Sequence, residues 1–340
     1  MKTKEKKILI SGYYGFNNFG DEAILQTVVT KLKNLNCNDI TVFSSNPNET
    51  SKKYLVKSIY YFNFIKIIFN MLRCDVFISG GGSLLQDVTS IKSLLYYLFL
   101  LNLAVLFRKK VIIFAQGLGP FKHKRGAYWV KNTLKKCSYV SVRDKKSHYL
   151  LKKWGIKSDL VCDPFFDIPI PEYQNYGTVG IQLRHVKNLN INYLKELAKY
   201  CAKYFPNKIF EIYSFQDTLD LKVCRDFSGF LNEYNIKSTV IEQKTPYETI
   251  EMISHLEYMI AMRFHAILTA SRFGIKTLAI SYDMKVEKFA REFNLPCLKM
   301  KSDDDFDKAF ENLFNIDTKE LLNKASEKCF NWNNIETLVV

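Results

Sequence analysis

Asp163-Pro-Phe-Phe-Asp-Ile-Pro-Ile-Pro-Glu-Tyr-Gln-Asn-Tyr-Gly177 is the stretch on which the fold turns. Three prolines and a closing glycine break any regular pattern, so it reads as a connection, with a linker at 169–177. The same alternation runs on both sides of it. Before it, Lys7–Ser11 is a strand-length apolar run, and Asp21–Leu35 follows with apolar residues at Ala23, Ile24, Val28, Val29 and Leu32, a helical spacing. Ile40–Ser44, Val76–Ser79, Val111–Ala115 and Tyr139–Val142 read as further strands, and Leu94–Phe107 and Val130–Cys137 as helices. After it, strands at Thr178–Gln182, Lys208–Ser214, Ser238–Ile241, Tyr258–Ala261 and Lys276–Ile280 alternate with helical patterns at Ile191–Tyr204, Leu219–Glu233, Pro246–Ser254 and Phe264–Phe273. Such alternation predicts α/β units, each a parallel sheet with helices on both faces. The expected domains are 1–168 and 178–320, with 321–340 a C-terminal tail or helix. The acidic run Asp303-Asp304-Asp305 is expected to start a helix, where negative charge suits the N-terminal dipole.

The chain has 340 residues, 47% of them hydrophobic, which fits two ordinary cores and excludes a disordered or fibrous chain. Its eight cysteines are scattered without a C-x-x-C pair, which disfavours a zinc ribbon or disulfide framework and points to a reducing compartment. Only Ile8–Ile10 follow the basic N-terminus, too short a run for a signal peptide. Leu94–Phe107 is too short to cross a bilayer, which takes about 20 residues. A cytoplasmic protein is expected. The net charge of +15 invites nucleic acid or an anionic membrane as partner. Residues 1–168 hold 27 basic and 11 acidic side chains, and the rest 22 and 23, so the charge belongs to one half. Arg108–Lys157 alone carries 15 basic residues against one acid, Asp144. A nucleic-acid-binding protein is a reading from charge only, since no recognised binding motif accompanies it.

In open α/β sheets ligands bind beyond the carboxyl ends of the strands, so the residues after each strand are the ones to inspect. The first loop, Gly12–Asp21, carries three glycines, and Asp21 is placed to cap the helix behind it. It is not a dinucleotide fingerprint. Gly80-Gly81-Gly82-Ser83 precedes a helical pattern and could cradle an anion, but no lysine follows, so it is not an ATP-binding P-loop. Gln116-Gly117-Leu118-Gly119-Pro120 is a third such loop. Met262-Arg263-Phe264-His265-Ala266 is the sharpest feature. There an arginine able to grip carboxylate or phosphate and a histidine able to exchange a proton meet a helix N-terminus. Arg184-His185 adds cations at the same edge. No metal-ligand spacing is present.

Taken together, Ser11-Gly-Tyr-Tyr-Gly-Phe-Asn-Asn-Phe-Gly-Asp-Glu-Ala-Ile-Leu25, Ile78-Ser-Gly-Gly-Gly-Ser-Leu-Leu-Gln-Asp87, Ala115-Gln-Gly-Leu-Gly-Pro120, Ser141-Val-Arg-Asp144, Asp163-Pro164 and Met262-Arg-Phe-His-Ala266 resemble the motifs of polysaccharide pyruvyl transferases. The likeness is to the enzymes that pyruvylate bacterial secondary cell-wall polymers, and it runs from about Lys7 to Leu295 in matching order. It implies two Rossmann-like domains facing a cleft, as in GT-B-type glycosyltransferases. It also implies phosphoenolpyruvate as donor, a sugar diol as acceptor, a cyclic ketal as product, phosphate as leaving group, and no metal or other cofactor. Carried over by motif, Arg263 and Arg184 would bind the donor's phosphate and carboxylate, and His265 would be the catalytic acid; by its chemistry alone His265 could donate the first proton or receive the hydroxyl's. The loops mark Gly12, Asn17, Asp21, Gly81, Gly82, Ser83, Gln86, Gln116, Arg143 and His185 as substrate-binding candidates. His185 departs from the family pattern, where an acidic or polar residue is expected, and so bears on the acceptor. The basic first half beside Leu94–Phe107 would suit a lipid-diphosphate-linked saccharide at an anionic membrane face. The alternative on the same fold is a sugar-nucleotide glycosyltransferase.

Overall fold

The computed structural model describes residues 5–186 and 189–340. Met1–Lys4 of the basic N-terminal run lie outside the described residues. The chain divides into two compact units, Met1–Ile168 with Cys329–Val340, and Pro169–Lys328.

In the first unit the order is β1 (Ile8–Ser11), α1 (Phe19–Asn34), β2 (Ile40–Ser44), α2 (Pro47–Tyr54), β3 (Lys57–Tyr60), α3 (Phe64–Arg73), β4 (Val76–Ser79), α4 (Ile91–Leu106), β5 (Lys110–Gln116), α5 (Lys124–Leu134), β6 (Tyr139–Val142), α6 (Lys145–Lys153) and β7 (Asp159–Leu160). Among the described residues these strands form one seven-stranded sheet, β3-β2-β1-β4-β5-β6-β7, parallel throughout. β1, β2 and β4 are buried along their whole length, as strands covered on both faces must be. Alternate side chains go to opposite cores. Leu9, Phe43, Phe77 and Val111 pack with α3 and α4, whereas Ile8, Ile10, Val42, Ile78 and Phe114 pack with α1.

The last residues of the chain belong to this second core. Phe330 and Trp332, ahead of the short helix α14 (Asn333–Val339), lie with their rings 5.0 and 5.3 Å from that of Phe114. Asp167 fixes both, accepting from the Phe330 amide (2.9 Å) and the Trp332 indole (2.6 Å). The expectation of one tail at 321–340 is therefore corrected. α13 (Thr318–Ser326) stays with the second unit, while residues from Cys329 onward close the first. A buried indole in a Phe114-lined slot is what draws them there.

The second unit runs β8 (Thr178–Gln182), α7 (Ile191–Tyr204), β9 (Phe210–Tyr213), α8 (Asp217–Glu233), β10 (Ser238–Ile241), α9 (Pro246–Ile253), β11 (Leu256–Ala261), α10 (Phe264–Arg272), β12 (Lys276–Ile280), α11 (Met284–Glu292), β13 (Cys297–Leu298) and α12 (Phe306–Phe314). Its six-stranded parallel sheet has the order β10-β9-β8-β11-β12-β13. Asp305 caps α12, accepting from the Lys308 amide at 3.0 Å, so the acidic run does begin a helix. The charge asymmetry survives this division, because Pro169–Lys328 carries 22 residues of each sign.

α4 covers the predicted helix and buries Leu94, Tyr97, Leu98, Leu100, Leu101 and Ala104. Among the described residues no helix is long and apolar enough to cross a membrane. Trp332→Ala should cost about 3 kcal/mol or more, the usual loss for a large buried aromatic. Urea unfolding would show it as a lowered midpoint, and an unchanged midpoint would contradict the packing described.

Candidate active site

Each sheet has one point where the chain reverses direction across it, between β1 and β4 in the first unit and between β8 and β11 in the second. Loops diverge there and leave a crevice at the strand ends. The loops after β1, β4, β8 and β11 sit at these two places, whereas Gln116–Pro120 follows β5 and Arg143-Asp144 follows β6.

In the second unit, Arg263 is the residue before α10 and is 7% exposed. Its guanidinium is held fork-to-fork by Asp220 of α8, Nε to Oδ2 and Nη2 to Oδ1, both at 2.7 Å, with Gln216 Oε1 3.4 Å from Nη2. Gln182, the last residue of β8, accepts from the Arg263 amide at 2.8 Å. Burial pushes the Asp220 carboxyl up, and the Arg263 guanidinium, the Phe215 amide and the charge of Arg184 pull it back. Arg184 follows β8. Its Nη1 donates to the Tyr282 hydroxyl at 3.0 Å, and its guanidinium lies 5.3 Å from the centre of the Tyr282 ring. Its Nε is buried with no hydrogen-bond partner among the described residues. Burial raises the Tyr282 hydroxyl, and Arg184 and Arg263 both act against that rise, so the two arginines share one electrostatic neighbourhood. His265 stands in the first turn of α10, its carbonyl accepting from Thr269 Oγ1 at 2.5 Å and its ring edge-on to Phe264 at 5.1 Å. His185 is exposed.

Sequence reading missed Asp220, Gln182 and Tyr282. Asp220 lay one helical turn inside α8, past the loop residues that the strand-end rule selects. Its signal was an aspartate facing inward at a position where burial demands a partner.

In the first unit, three buried polar atoms lack hydrogen-bond partners among the described residues: Ser11 Oγ, the Tyr14 hydroxyl and Gln116 Oε1. Burial, with Asp21 and Glu22 nearby, holds the Tyr14 hydroxyl well above its ordinary range. Gln116 donates through Nε2 to Ser79 Oγ (2.7 Å) and the Gly80 carbonyl (2.9 Å), tying β5 to β4. Some of the glycines also have a packing role. A Cβ on Gly12 would fall 2.4 Å from the Tyr14 ring, and one on Gly80 would fall 1.9 Å from its hydroxyl, so both make room for Tyr14. Gly82, at φ +97°, would meet Asp21 Oδ1 at 2.8 Å, and Gly81 would press on Ile24.

Other expectations are revised. Asn18, not Asp21, caps α1, its side-chain oxygen accepting from the Gly20 and Asp21 amides at 3.1 and 3.3 Å, because the helix starts at Phe19. No helix begins behind Gly80–Ser83. The chain stays irregular until Ser90 caps α4, because buried Asp87 ties it to the Lys122 and His123 amides. Opposing the burial that would raise it, those amides and the His123 ring hold the Asp87 carboxyl low. Gln86 spends its amide inside that loop, on Thr89 and on the Val88 and Thr89 amides. Arg143 is paired with Asp163. Asn17 takes a left-handed backbone at φ 55°, and Ser83 is half-buried beside Gly117. Among the described residues no three His, Cys, Asp or Glu side chains converge as metal ligands would.

Two Rossmann-like α/β units with switch-point loops define a GT-B-type enzyme fold, and solved structures agree. The chain superposes on S. aureus MnaA, in its UDP co-structure, with a TM-score of 0.66 at 10% identity, over 95% of this chain and 91% of that one. Anabaena HepE with UDP-glucose gives 0.62 at 11% identity, over 98% of each. Neisseria meningitidis UDP-GlcNAc 2-epimerase bound to UDP-GlcNAc gives 0.61 at 12%, again over 98% of each. At such identities the likeness is one of fold. A search of curated proteins returned no significant match. The family model for polysaccharide pyruvyl transferase matches residues 18–284, and the chain belongs to that family.

Removing one partner of a buried ion pair leaves the other charge stranded, at a cost of about 3–5 kcal/mol. Arg263→Ala should therefore destabilise the protein by about that much, whereas Arg263→Ala with Asp220→Ala should recover part of the loss. Urea unfolding of the three variants measures this. Additive losses would deny the coupling.

Proposed function

We infer that the protein transfers the pyruvyl group of phosphoenolpyruvate to two hydroxyls of one sugar in a cell-surface polysaccharide or its lipid-linked precursor. A ketal forms and phosphate is released. The observation that carries this reading is the Nε of Arg184, buried and without a hydrogen-bond partner among the described residues. A guanidinium with Nη1 fixed by Tyr282 and Nε out of water calls for an anionic oxygen. Phosphoenolpyruvate is small and dense in negative charge, which suits Arg184 and the N-terminus of α10.

Asp220 changes the role of Arg263. With Nε and Nη2 committed to that carboxylate, Arg263 is a fixed element of the site wall whose charge is largely compensated. Arg184 then supplies the charge that binds the donor, and Asp220 and Gln182 position Arg263 beside it.

Protonating the methylene carbon of the donor makes its C2 an oxocarbenium-like centre. A sugar hydroxyl adds there and gives up its proton. The second hydroxyl then attacks the same carbon, the C2–O bond to phosphate breaks, and the second hydroxyl proton leaves with the departing group or a base. His265, beside Arg263, serves as the proton carrier, a contribution of roughly 10²–10⁴-fold. Ser11, Tyr14 and Gln116, each with a buried polar atom that has no partner among the described residues, offer hydrogen bonds to the acceptor sugar at the first unit's switch point. The charge of the donor is met by arginine and helix amides, and the scheme calls on no metal or cofactor.

His265→Ala should lower kcat by about 10²-fold or more with the fold intact, and Arg184→Ala should chiefly raise the donor KM. Steady-state phosphate release from phosphoenolpyruvate with a nitrophenyl disaccharide measures both. Wild-type rates in either variant would overturn the assignment.

A further inference from the structure

The segment Phe62–Arg73 has an unusual burial pattern for a helix on a parallel sheet. Only Ile67 and Met71 of α3 face the core. Phe64, Ile65, Ile68, Phe69 and Leu72 are all exposed, Ile65 to 83%. Exposed Leu95, Phe99 and Leu106 of the neighbouring α4 extend the same surface, with the Phe64 and Phe99 rings 5.8 Å apart. Single exposed apolar residues are ordinary, but a contiguous group of this size marks a binding surface.

Its charge says what binds. Residues 52–73 and 91–110 hold nine Lys or Arg and no Asp or Glu. Arg73 lies over the Phe69 ring at 4.9 Å, and Lys66 stands exposed between Ile65 and Ile67. A recess next to Phe69 is lined by Lys7, Lys57, Arg73 and Asn70, with Asp39 also in it. A second copy of this chain would set one predominantly cationic face against another. Branched aliphatic side chains ringed by lysine and arginine match acyl chains beneath anionic headgroups.

We propose that α3 and the outer face of α4 form a docking surface for an anionic phospholipid membrane. Ile65, Phe69 and Leu72 enter the acyl boundary, and Lys66 and Arg73 meet headgroup phosphates. The surface is continuous with the first unit's switch-point loop. Tyr13 stacks on Phe16 at 4.2 Å, Phe16 meets Tyr61 at 5.4 Å, Tyr61 meets Phe62 at 4.2 Å, and Phe62 meets Phe64 at 6.1 Å. This aromatic chain leads from the proposed acceptor loop to the membrane face, which suits an acceptor carried on a lipid. That last consequence rests on the functional reading above, whereas the docking does not.

The test is co-sedimentation of the full chain with phosphatidylcholine vesicles containing one quarter phosphatidylglycerol, beside pure phosphatidylcholine vesicles. Binding to the anionic vesicles alone is expected. Ile65→Glu with Phe69→Glu should weaken it at least ten-fold, and Lys66→Glu with Arg73→Glu should do so through charge alone. Circular dichroism checks folding, and the phosphate-release rate with a soluble disaccharide should not change. No binding by the wild type, or equal binding by both double variants, overturns the proposal. So does a wild-type dimer that the Ile65→Glu/Phe69→Glu variant dissociates, which would make the face a contact between copies. Loss of pyruvyl transfer without loss of vesicle binding would count against the functional reading only.

Discussion

A parallel strand can be followed by its neighbour only if the chain crosses back over the sheet, and that constraint governs both units. Every strand then ends on the same edge, and the loops that leave that edge must diverge wherever the order reverses. Between β8 and β11 this brings Gln182, Arg184 and Arg263 together, although Arg184 and Arg263 are 79 residues apart in sequence. Between β1 and β4 it gathers Ser11, Tyr14, Gly80 and Gln116. The chemistry depends on the sheets. Side chains this polar can be buried at the strand ends because the apolar strands behind them fix their positions.

The constraint also explains what the sequence could reveal. Strands buried on both faces are apolar runs, so β1, β2, β4, β6, β8 and β12 were legible to the residue or nearly so. Helices with one apolar stripe, such as α7, were equally plain. The segment from Asn46 to Arg73 is harder to read: β3 is an edge strand with little buried surface and so lacks an apolar run, whereas α3 does carry a helical period, with Lys66, Asn70 and Arg73 on one side, but is short and exposes most of its apolar side chains. The C-terminal residues were opaque for a different reason. Nothing local says that Trp332 returns to a core built by residues 8–114; only the slot beside Phe114 and the Asp167 carboxylate do.

At the site, sequence identified the cations and missed what restrains them. Arg263 and His265 stand where a helix N-terminus was expected, and Arg184 follows a strand as expected. Asp220 could not be paired with Arg263 from a separation of 43 residues. The sequence does not show that Gly12 and Gly80 also make room for the ring of Tyr14. The charge reading changed as well. The excess of basic residues follows the first unit and includes the apolar, cation-rich surface of α3 and α4 as well as the basic run at Arg108–Lys157.

The central claim is that a buried arginine edge of a GT-B-type fold serves phosphoenolpyruvate in place of a sugar nucleotide. Product analysis by nuclear magnetic resonance decides it most directly, with the protein incubated with phosphoenolpyruvate and a panel of nitrophenyl and lipid-linked disaccharides, and in parallel with UDP-sugars. The account predicts a ketal methyl signal on one sugar, inorganic phosphate in equal amount, and intact UDP-sugar. A new glycosidic bond with nucleotide released, and phosphoenolpyruvate untouched, would contradict it.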